Sequence, residues 1–289
     1  MKLANVNYTY KNGGGLSAAA SVHNISLRIA AEECVGMVGR TGSGKSTLAQ
    51  LMAGLLWADS GEIWLGDICL TAPVHPKARD ICRRVGIVFQ YPEHQLFAET
   101  VRAELAYAPT NLGLPREKID EETARIAEEF GLTDLLDENP YQLSGGEKRK
   151  VALASVLIMR TPLLILDEPF VGLDAGARRE FMALLQKWRR ENSAAVVCIS
   201  HNMEQLAEFC TRLLVVSEGE LALDAPIRQA FDERELLAEC GIYPPVGRQA
   251  VCRLAEAGLA PDTGALTVKE SAAAIKAALY KHNKAHRGA

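Results

Sequence analysis

Gly39-Arg40-Thr41-Gly42-Ser43-Gly44-Lys45-Ser46-Thr47 decides how the chain is read. From Gly39 to Ser46 it fits G-x-x-x-x-G-K-[ST], a phosphate-binding loop, without a mismatch. Upstream, Cys34-Val35-Gly36-Met37-Val38 is short and apolar enough to be a buried strand. Downstream, Leu48, Leu51, Met52 and Leu55 recur at helical spacing, so the loop opens a helix. Glycines let a backbone curl until its N–H groups face one point, and a helix N-terminus adds partial positive charge there. In that geometry Lys45 is expected to reach the β- and γ-phosphates of a nucleotide, and Ser46 to place its hydroxyl on Mg²⁺.

Other polar residues sit where a phosphate site needs them. Leu163-Leu164-Ile165-Leu166-Asp167-Glu168 is a continuous apolar strand ending in two carboxylates, the pattern of a buried parallel strand with charge at its carboxyl end. Asp167 is expected to hold Mg²⁺ through water, and Glu168 to accept a proton from an attacking water. Val85-Gly86-Ile87-Val88-Phe89 reads as another strand and delivers Gln90; Ala195–Ser200 reads as a further one and ends at His201. Leu143-Ser144-Gly145-Gly146-Glu147 leads into the helix-like Lys148–Met159. Ser144 with Glu147 three residues on matches a capping box, and a capped N-terminus is also an anion site. Gly172-Leu173-Asp174 is a turn signal before the helical Phe181–Arg190. Leu213–Val216 and Glu220–Leu223 suggest a closing pair of strands around Ser217-Glu218-Gly219.

The N-terminal stretch Met1–Ile29 reads as extended segments around the loop signal Asn12-Gly13-Gly14-Gly15. Tyr10 ends the first segment, where an aromatic ring either packs or stacks on adenine. Asp59-Ser60-Gly61-Glu62 reads as a turn before a strand at Ile63-Trp64-Leu65. Tyr91–Gln142 carries helix formers and no clear strand, as a helical insertion in an α/β domain would. In Asp224–Ala289, Tyr243-Pro244-Pro245 and Pro261–Gly264 break a mostly helical region ending in the alanine-rich Lys269–Lys281. His282 and His286, four apart with no third ligand near, read as a solvated helix end rather than a metal site.

Composition sets the class. The chain has 289 residues, 48% hydrophobic and 24% charged, ordinary for a globular protein with a sizeable core. A net charge of −4 argues against broad nucleic-acid binding. The apolar runs are far shorter than a membrane span, and Met1-Lys2-Leu3-Ala4-Asn5 begins no signal-peptide core. The expectation is a chain that is soluble or held at a membrane by partners. Seven cysteines, an odd count with no C-x-x-C spacing, read as buried free thiols of a reducing cytoplasm.

With the phosphate loop, Gln90, Leu143–Glu147, Asp167-Glu168, Asp174 and His201 in this order, the chain resembles the ATP-binding subunits of ABC transporters from about Met1 to Leu223. The signature Leu-Ser-Gly-Gly-Glu is the most specific part, although Glu147 stands where many members have Gln. The resemblance implies a P-loop NTPase fold: a RecA-like parallel sheet, an N-terminal antiparallel β part, a helical subdomain over about 91–160, and a small C-terminal extension over 224–289. It implies ATP and Mg²⁺ as cofactors. Tyr10 resembles the adenine-stacking aromatic, and Gly39 to Thr47 the phosphate cradle. Gln90 resembles the Q-loop glutamine near the metal, Glu168 the catalytic base, Asp174 the D-loop acid and His201 the switch histidine. In that family Ser144, Gly145, Gly146 and Glu147 close over ATP bound to a second ATPase, identical or different.

Phe89-Gln90-Tyr91-Pro92-Glu93-His94-Gln95-Leu96-Phe97 and Gly241-Ile242-Tyr243-Pro244-Pro245 are similar to the ATPases of energy-coupling factor (ECF) importers of vitamins and metal ions. That likeness implies a transmembrane scaffold protein and a substrate-binding membrane subunit as partners, at the cytoplasmic face of the membrane. A conventional ABC transporter ATPase is the alternative. A soluble ABC ATPase acting on ribosomes or DNA fits less well, since the chain holds one cassette and no long coiled-coil insertion. Intact Glu168 and His201 disfavour a pure binding module.

Overall fold

The computed structural model describes residues 1–10, 21–71 and 75–287, with side chains to residue 283. The expected Asn12–Gly15 loop lies outside the described residues. The chain runs through β1 (Lys2–Tyr8), β2 (Val22–Arg28), β3 (Cys34–Val38), α1 (Lys45–Met52), β4 (Ser60–Leu65), β5 (Ile68–Cys69), α2 (Ala78–Cys82) and β6 (Val85–Val88). Then come α3 (Val101–Asn111), α4 (Arg116–Phe130), α5 (Gly145–Leu157), β7 (Leu163–Asp167), α6 (Ala175–Glu191), β8 (Ala195–Ile199), α7 (Met203–Phe209), β9 (Arg212–Ser217) and β10 (Glu220–Pro226). Four helices follow: α8 (Ile227–Ala230), α9 (Arg234–Glu239), α10 (Val246–Glu256) and α11 (Val268–Arg287). No helix among the described residues is long and apolar enough to cross a membrane.

Two sheets form. The smaller is antiparallel, in the order β2-β1-β4-β5; the larger runs β10-β9-β3-β8-β7-β6, parallel except for the β9–β10 hairpin. The parallel strands read as unbroken apolar runs because both of their faces are covered. Along β3, β7, β8 and β9 alternate residues feed two cores. Cys34, Leu164, Leu166, Val196, Cys198, Leu213 and Val215 join the helices on one side. Val35, Met37, Leu163, Ile165, Val197, Leu214 and Val216 join α1 and the antiparallel sheet on the other.

Register sets the functional edge. Met37 pairs with Ile199, Ile199 with Asp167, and Leu166 with Val88, so four strands end level. The phosphate loop, His201, Glu168 and Gln90 therefore emerge side by side.

The stretch Asp59–Glu62 is not a separate turn: β4 begins at Ser60. Asn5 and Val6 of β1 face only Gly61, in a bulge where Asn5 takes φ +50° and Gly61 φ +88°. A Cβ on Gly61 would lie 2.3 Å from the Asn5 carbonyl oxygen, so this glycine serves a bulge within a strand. The region after Gln90 is helical as expected, with short 3₁₀ turns at Pro92–Gln95, Thr133–Leu135 and Pro140–Gln142 added. All seven cysteines are free; five are buried, Cys69 is half-buried and Cys82, ending α2, is exposed. His282 is exposed, and the side chain of His286 lies outside those described.

Candidate functional site

The phosphate loop has the backbone that its glycines foretell. Gly39 takes φ +157°, and a Cβ there would sit 2.1 Å from the Val216 carbonyl oxygen and 2.5 Å from Ser43 Oγ. No other residue fits between β9 and the loop. Lys45 Nζ donates to the Gly39 and Arg40 carbonyls at 2.8 and 2.9 Å, which keeps its ammonium at the loop. Burial holds the Lys45 pKa below the usual lysine value, opposed by the charges of Asp167 and Glu168. Thr47 is buried in α1, and its Oγ1 is 3.4 Å from the hydroxyl of Tyr10. The Tyr10 ring meets Tyr8 edge-on at 4.9 Å and stays 36% exposed, so a face remains open beside the loop.

Ser46 Oγ donates to Asp167 Oδ2 at 3.4 Å, uniting the predicted hydroxyl and carboxylate from opposite ends of the cassette. Burial raises the Asp167 pKa, and the Ser46 hydrogen bond and Lys45 pull it back. Glu168 follows with φ +50°, a left-handed backbone that turns its side chain back towards β8. Its Oε1 accepts the His201 backbone N–H at 2.8 Å and its Oε2 accepts Ser200 Oγ at 3.2 Å. Burial raises this carboxyl's pKa as well, with the His201 charge and backbone N–H opposing. The His201 imidazole stands 3.7 Å from Glu168 Oε1. Gln90 lies on the same edge, exposed, two residues past β6.

These residues fit a magnesium nucleotide. Ser43 Oγ is buried in the loop without a hydrogen-bond partner, an acceptor or donor that a phosphate oxygen can satisfy. Ser46 and Asp167 supply one hydroxyl and one carboxylate. That suits Mg²⁺, which keeps waters and substrate phosphates in its shell rather than an all-protein cage. Among the described residues no group of three or more His, Cys, Asp or Glu could hold a metal ion by itself.

The remaining predicted residues lie elsewhere. Ser144 caps α5 and Glu147 completes the capping box: Glu147 Oε2 accepts the Ser144 N–H at 2.9 Å and the Ser144 hydroxyl at 2.6 Å. Those bonds hold the Glu147 carboxyl below its usual pKa. Gly145 and Gly146 open the helix, with nothing within 4 Å of a Cβ at either. Asp174 caps α6, accepting from the Gly176 and Ala177 N–H groups at 2.7 and 2.9 Å, and those bonds lower its pKa.

A cavity of about 600 Å³ at the phosphate loop is lined by Val38 to Thr41, His201, Met203, Glu204, Gly241 to Pro244, Val246 and Gln249. Sequence reading passed over two contributors. Ser200 fixes the Glu168 carboxylate, and only its place beside His201 hinted at it. Arg149 of α5 is buried against the loop after Glu168, with no local pattern to announce it.

Residues 22–171 match the ABC transporter family. The chain is 38% identical over 272 residues to an energy-coupling factor transporter ATP-binding protein EcfA2 of Caldanaerobacter subterraneus, covering 94% of each. It is 35% identical to the EcfA2 of Clostridium perfringens, covering 98% of this chain and 99% of that one. Among solved structures it resembles cbiO1 of Clostridium perfringens, described as part of the ABC transporter complex cbiONQ. That match has a TM-score of 0.69 and 31% identity, over 82% of this chain and 92% of the other. It also resembles the ATP-binding cassette MJ0796, a post-hydrolysis dimer bound to ADP and Pi, with a TM-score of 0.67 and 26% identity over 78% and 98%.

Proposed function

Because the chain belongs to the ABC transporter family, among its energy-coupling factor ATP-binding proteins, we propose that it is the ATP-hydrolysing subunit of an ECF-type importer for a vitamin or metal ion. The observation that carries the reading is the meeting of Ser46 with Asp167, and of Glu168 with Ser200 and His201, at one edge of the parallel sheet.

The loop amides from Gly39 to Thr47 bind the phosphates, with Arg40 and Thr41 at the mouth and Lys45 turning from the loop carbonyls to the β- and γ-phosphates. Tyr10 offers its open face to adenine. Ser46 and Asp167, with Gln90, are the residues that would hold Mg²⁺, which when bound would supply neutralising charge at the phosphates. Ser200 and the His201 N–H aim the Glu168 carboxylate, whose raised proton affinity suits it to take a proton from water. His201 faces the γ-phosphate position.

The site reaches completion only with a second ATPase, identical or different. Ser144, Gly145, Gly146 and Glu147 on one subunit close over the nucleotide of the other, with Asp174 beside them. The region 91–160 passes closure to a transmembrane scaffold and a substrate-binding membrane subunit. The chain is thereby a peripheral protein of the cytoplasmic membrane face, with 1–223 as cassette and 224–289 as extension.

Affinity purification of the tagged full chain from detergent-solubilised membranes tests the assignment. A multispan scaffold with a small substrate-binding membrane protein should co-elute. A conventional permease pair would discard the ECF branch, and recovery of only ribosomes or DNA would overturn transport.

A further inference from the structure

Arg149 is a buried cation that hydrolysis, as described, leaves unused. It lies one turn into the signature helix α5 and is only 4% exposed. Its Nη1 donates to the Val171 carbonyl oxygen at 2.5 Å, and its Nε stands 3.3 Å from Glu93 Oε2. Val171 belongs to the loop between Glu168 and Asp174, and its own N–H donates to the Glu168 carbonyl at 3.3 Å. Glu93 belongs to the 3₁₀ turn Pro92–Gln95, which Tyr91, at φ +56°, swings out directly after Gln90. Three segments far apart in sequence thus meet on one guanidinium: the turn behind Gln90, the signature helix, and the loop joining Glu168 to Asp174.

The contact is incomplete in an informative way. Arg149 Nε and Nη2 and Glu93 Oε2 are all buried, yet none of them makes an aligned hydrogen bond. Buried polar groups left in that condition are costly, so a small advance of the Glu93 turn that aligned them would be downhill. A fixed contact on one side and an unaligned one on the other is what a transmitting link requires. Lysine replaces it only in part: a point-like ammonium keeps the charge but lacks the planar fork that reaches two partners at once.

We propose that Arg149 is a positioning residue that couples the turn behind Gln90 to the loop carrying Glu168 and Asp174. When the Gln90 turn advances, Glu93 closes on Nε and Nη2, and the guanidinium holds Val171 so that Glu168 keeps its aim. The signature helix moves with them, since Arg149 is part of it. This inference rests on the ATPase reading above.

The test uses the full chain assembled with its partner subunits, in four variants: Arg149→Met, Arg149→Lys, Glu93→Gln and the double Glu93→Gln/Arg149→Met. For each, kcat, KM and equilibrium ATP affinity are measured together with the thermal midpoint. Arg149→Met should lower kcat about tenfold or more, with ATP affinity within about twofold, because the phosphate loop does not touch it. Arg149→Lys should recover part of kcat. The double variant should be no slower than Arg149→Met alone, since both remove one link. Wild-type kcat in Arg149→Met overturns the proposal. So do independent, multiplying losses in the double variant, or a parallel fall of kcat, ATP affinity and thermal midpoint that lysine does not relieve. A wild-type assembly that binds ATP without turning it over would instead remove the hydrolysis reading, and turnover surviving Glu168→Gln would remove Glu168 as its base, whatever Arg149 does.

Discussion

Glu168 and His201 are bound through the backbone as well as the side chain: the His201 N–H donates to Glu168 Oε1 at 2.8 Å, and the imidazole stands 3.7 Å from that same oxygen. An amide oxygen at position 168 can accept the same N–H. Glu168→Gln should therefore fold and bind ATP as the wild type does while turnover falls by about a hundredfold or more. Equilibrium ATP binding and phosphate release, measured on one preparation, check this. Undiminished release would strip Glu168 of its role as base.

Acidity gives the same residue a second test. Burial raises the Glu168 pKa, so the carboxylate becomes protonated at a higher pH than an exposed glutamate, which titrates near about 4.3. A base works only when unprotonated, so turnover should fall as pH drops through that raised value. The acid limb of the kcat profile belongs above the ordinary glutamate range. His201 opposes the rise by its charge, so His201→Gln should move the limb to still higher pH. A limb that stays in place, or moves down, contradicts the arrangement.

The capping box of α5 predicts separable effects on stability and turnover. Ser144→Ala removes the acceptor for the Glu147 N–H and should cost about 1 kcal/mol in urea unfolding. Glu147→Gln keeps an oxygen for the Ser144 N–H and should unfold nearly as the parent does. If the signature acts on the partner's nucleotide, Ser144→Ala slows the assembled transporter beyond what its modest loss of stability explains. Equal turnover in the two variants would reduce this segment to a helix cap.

At the other end of the chain, Thr267 caps α11 by accepting the Glu270 N–H at 3.2 Å, and Glu270 reaches back to complete the capping box. It accepts the Leu266 and Thr267 N–H groups at 2.8 and 3.3 Å and pairs with Arg228 at 2.6 Å. Arg228 first, then these backbone bonds, pull its pKa down to about 2. A depressed carboxylate stabilises the fold fully above its unfolded pKa of about 4.3 and loses that contribution as pH falls through about 2. Protection of the α11 amides from hydrogen exchange, taken relative to the intrinsic rate at each pH, should therefore fall as pH drops between those values. Glu270→Gln should flatten the dependence, and a variant as pH-sensitive as the parent would rule Glu270 out.

What was legible in the sequence was whatever a local pattern announces. β3, β7 and β8 show as apolar runs because both faces are buried, and their polar termini fall together once the strands are paired in parallel. The Ser144–Glu147 cap is written within four residues. Gly61 misled because a glycine beside Asp59 and Ser60 has a turn's composition, while its strand conformation comes from the bulge of β1 across the sheet. β5 and α2 are too short for any periodicity to develop. Arg149 was hidden for a deeper reason. Its partners lie 56 residues before it and 22 after it, and only the tertiary fold brings them together.

The last helices are not a detachable appendage. Ile227, Phe231, Leu237, Ile242 and Leu266 share a hydrophobic core with Leu164 and Leu166 beneath the catalytic edge. Gly241 rests on the aliphatic stem of Arg40, and Glu204, in the helix after His201, accepts the Val246 N–H at 2.9 Å. The tail is thus a buttress that leans on the phosphate loop and on α7 together. Grafting a relative's tail onto this cassette would replace part of the foundation of its catalytic edge, so chimaeras joined near residue 223 test architecture and chemistry at once.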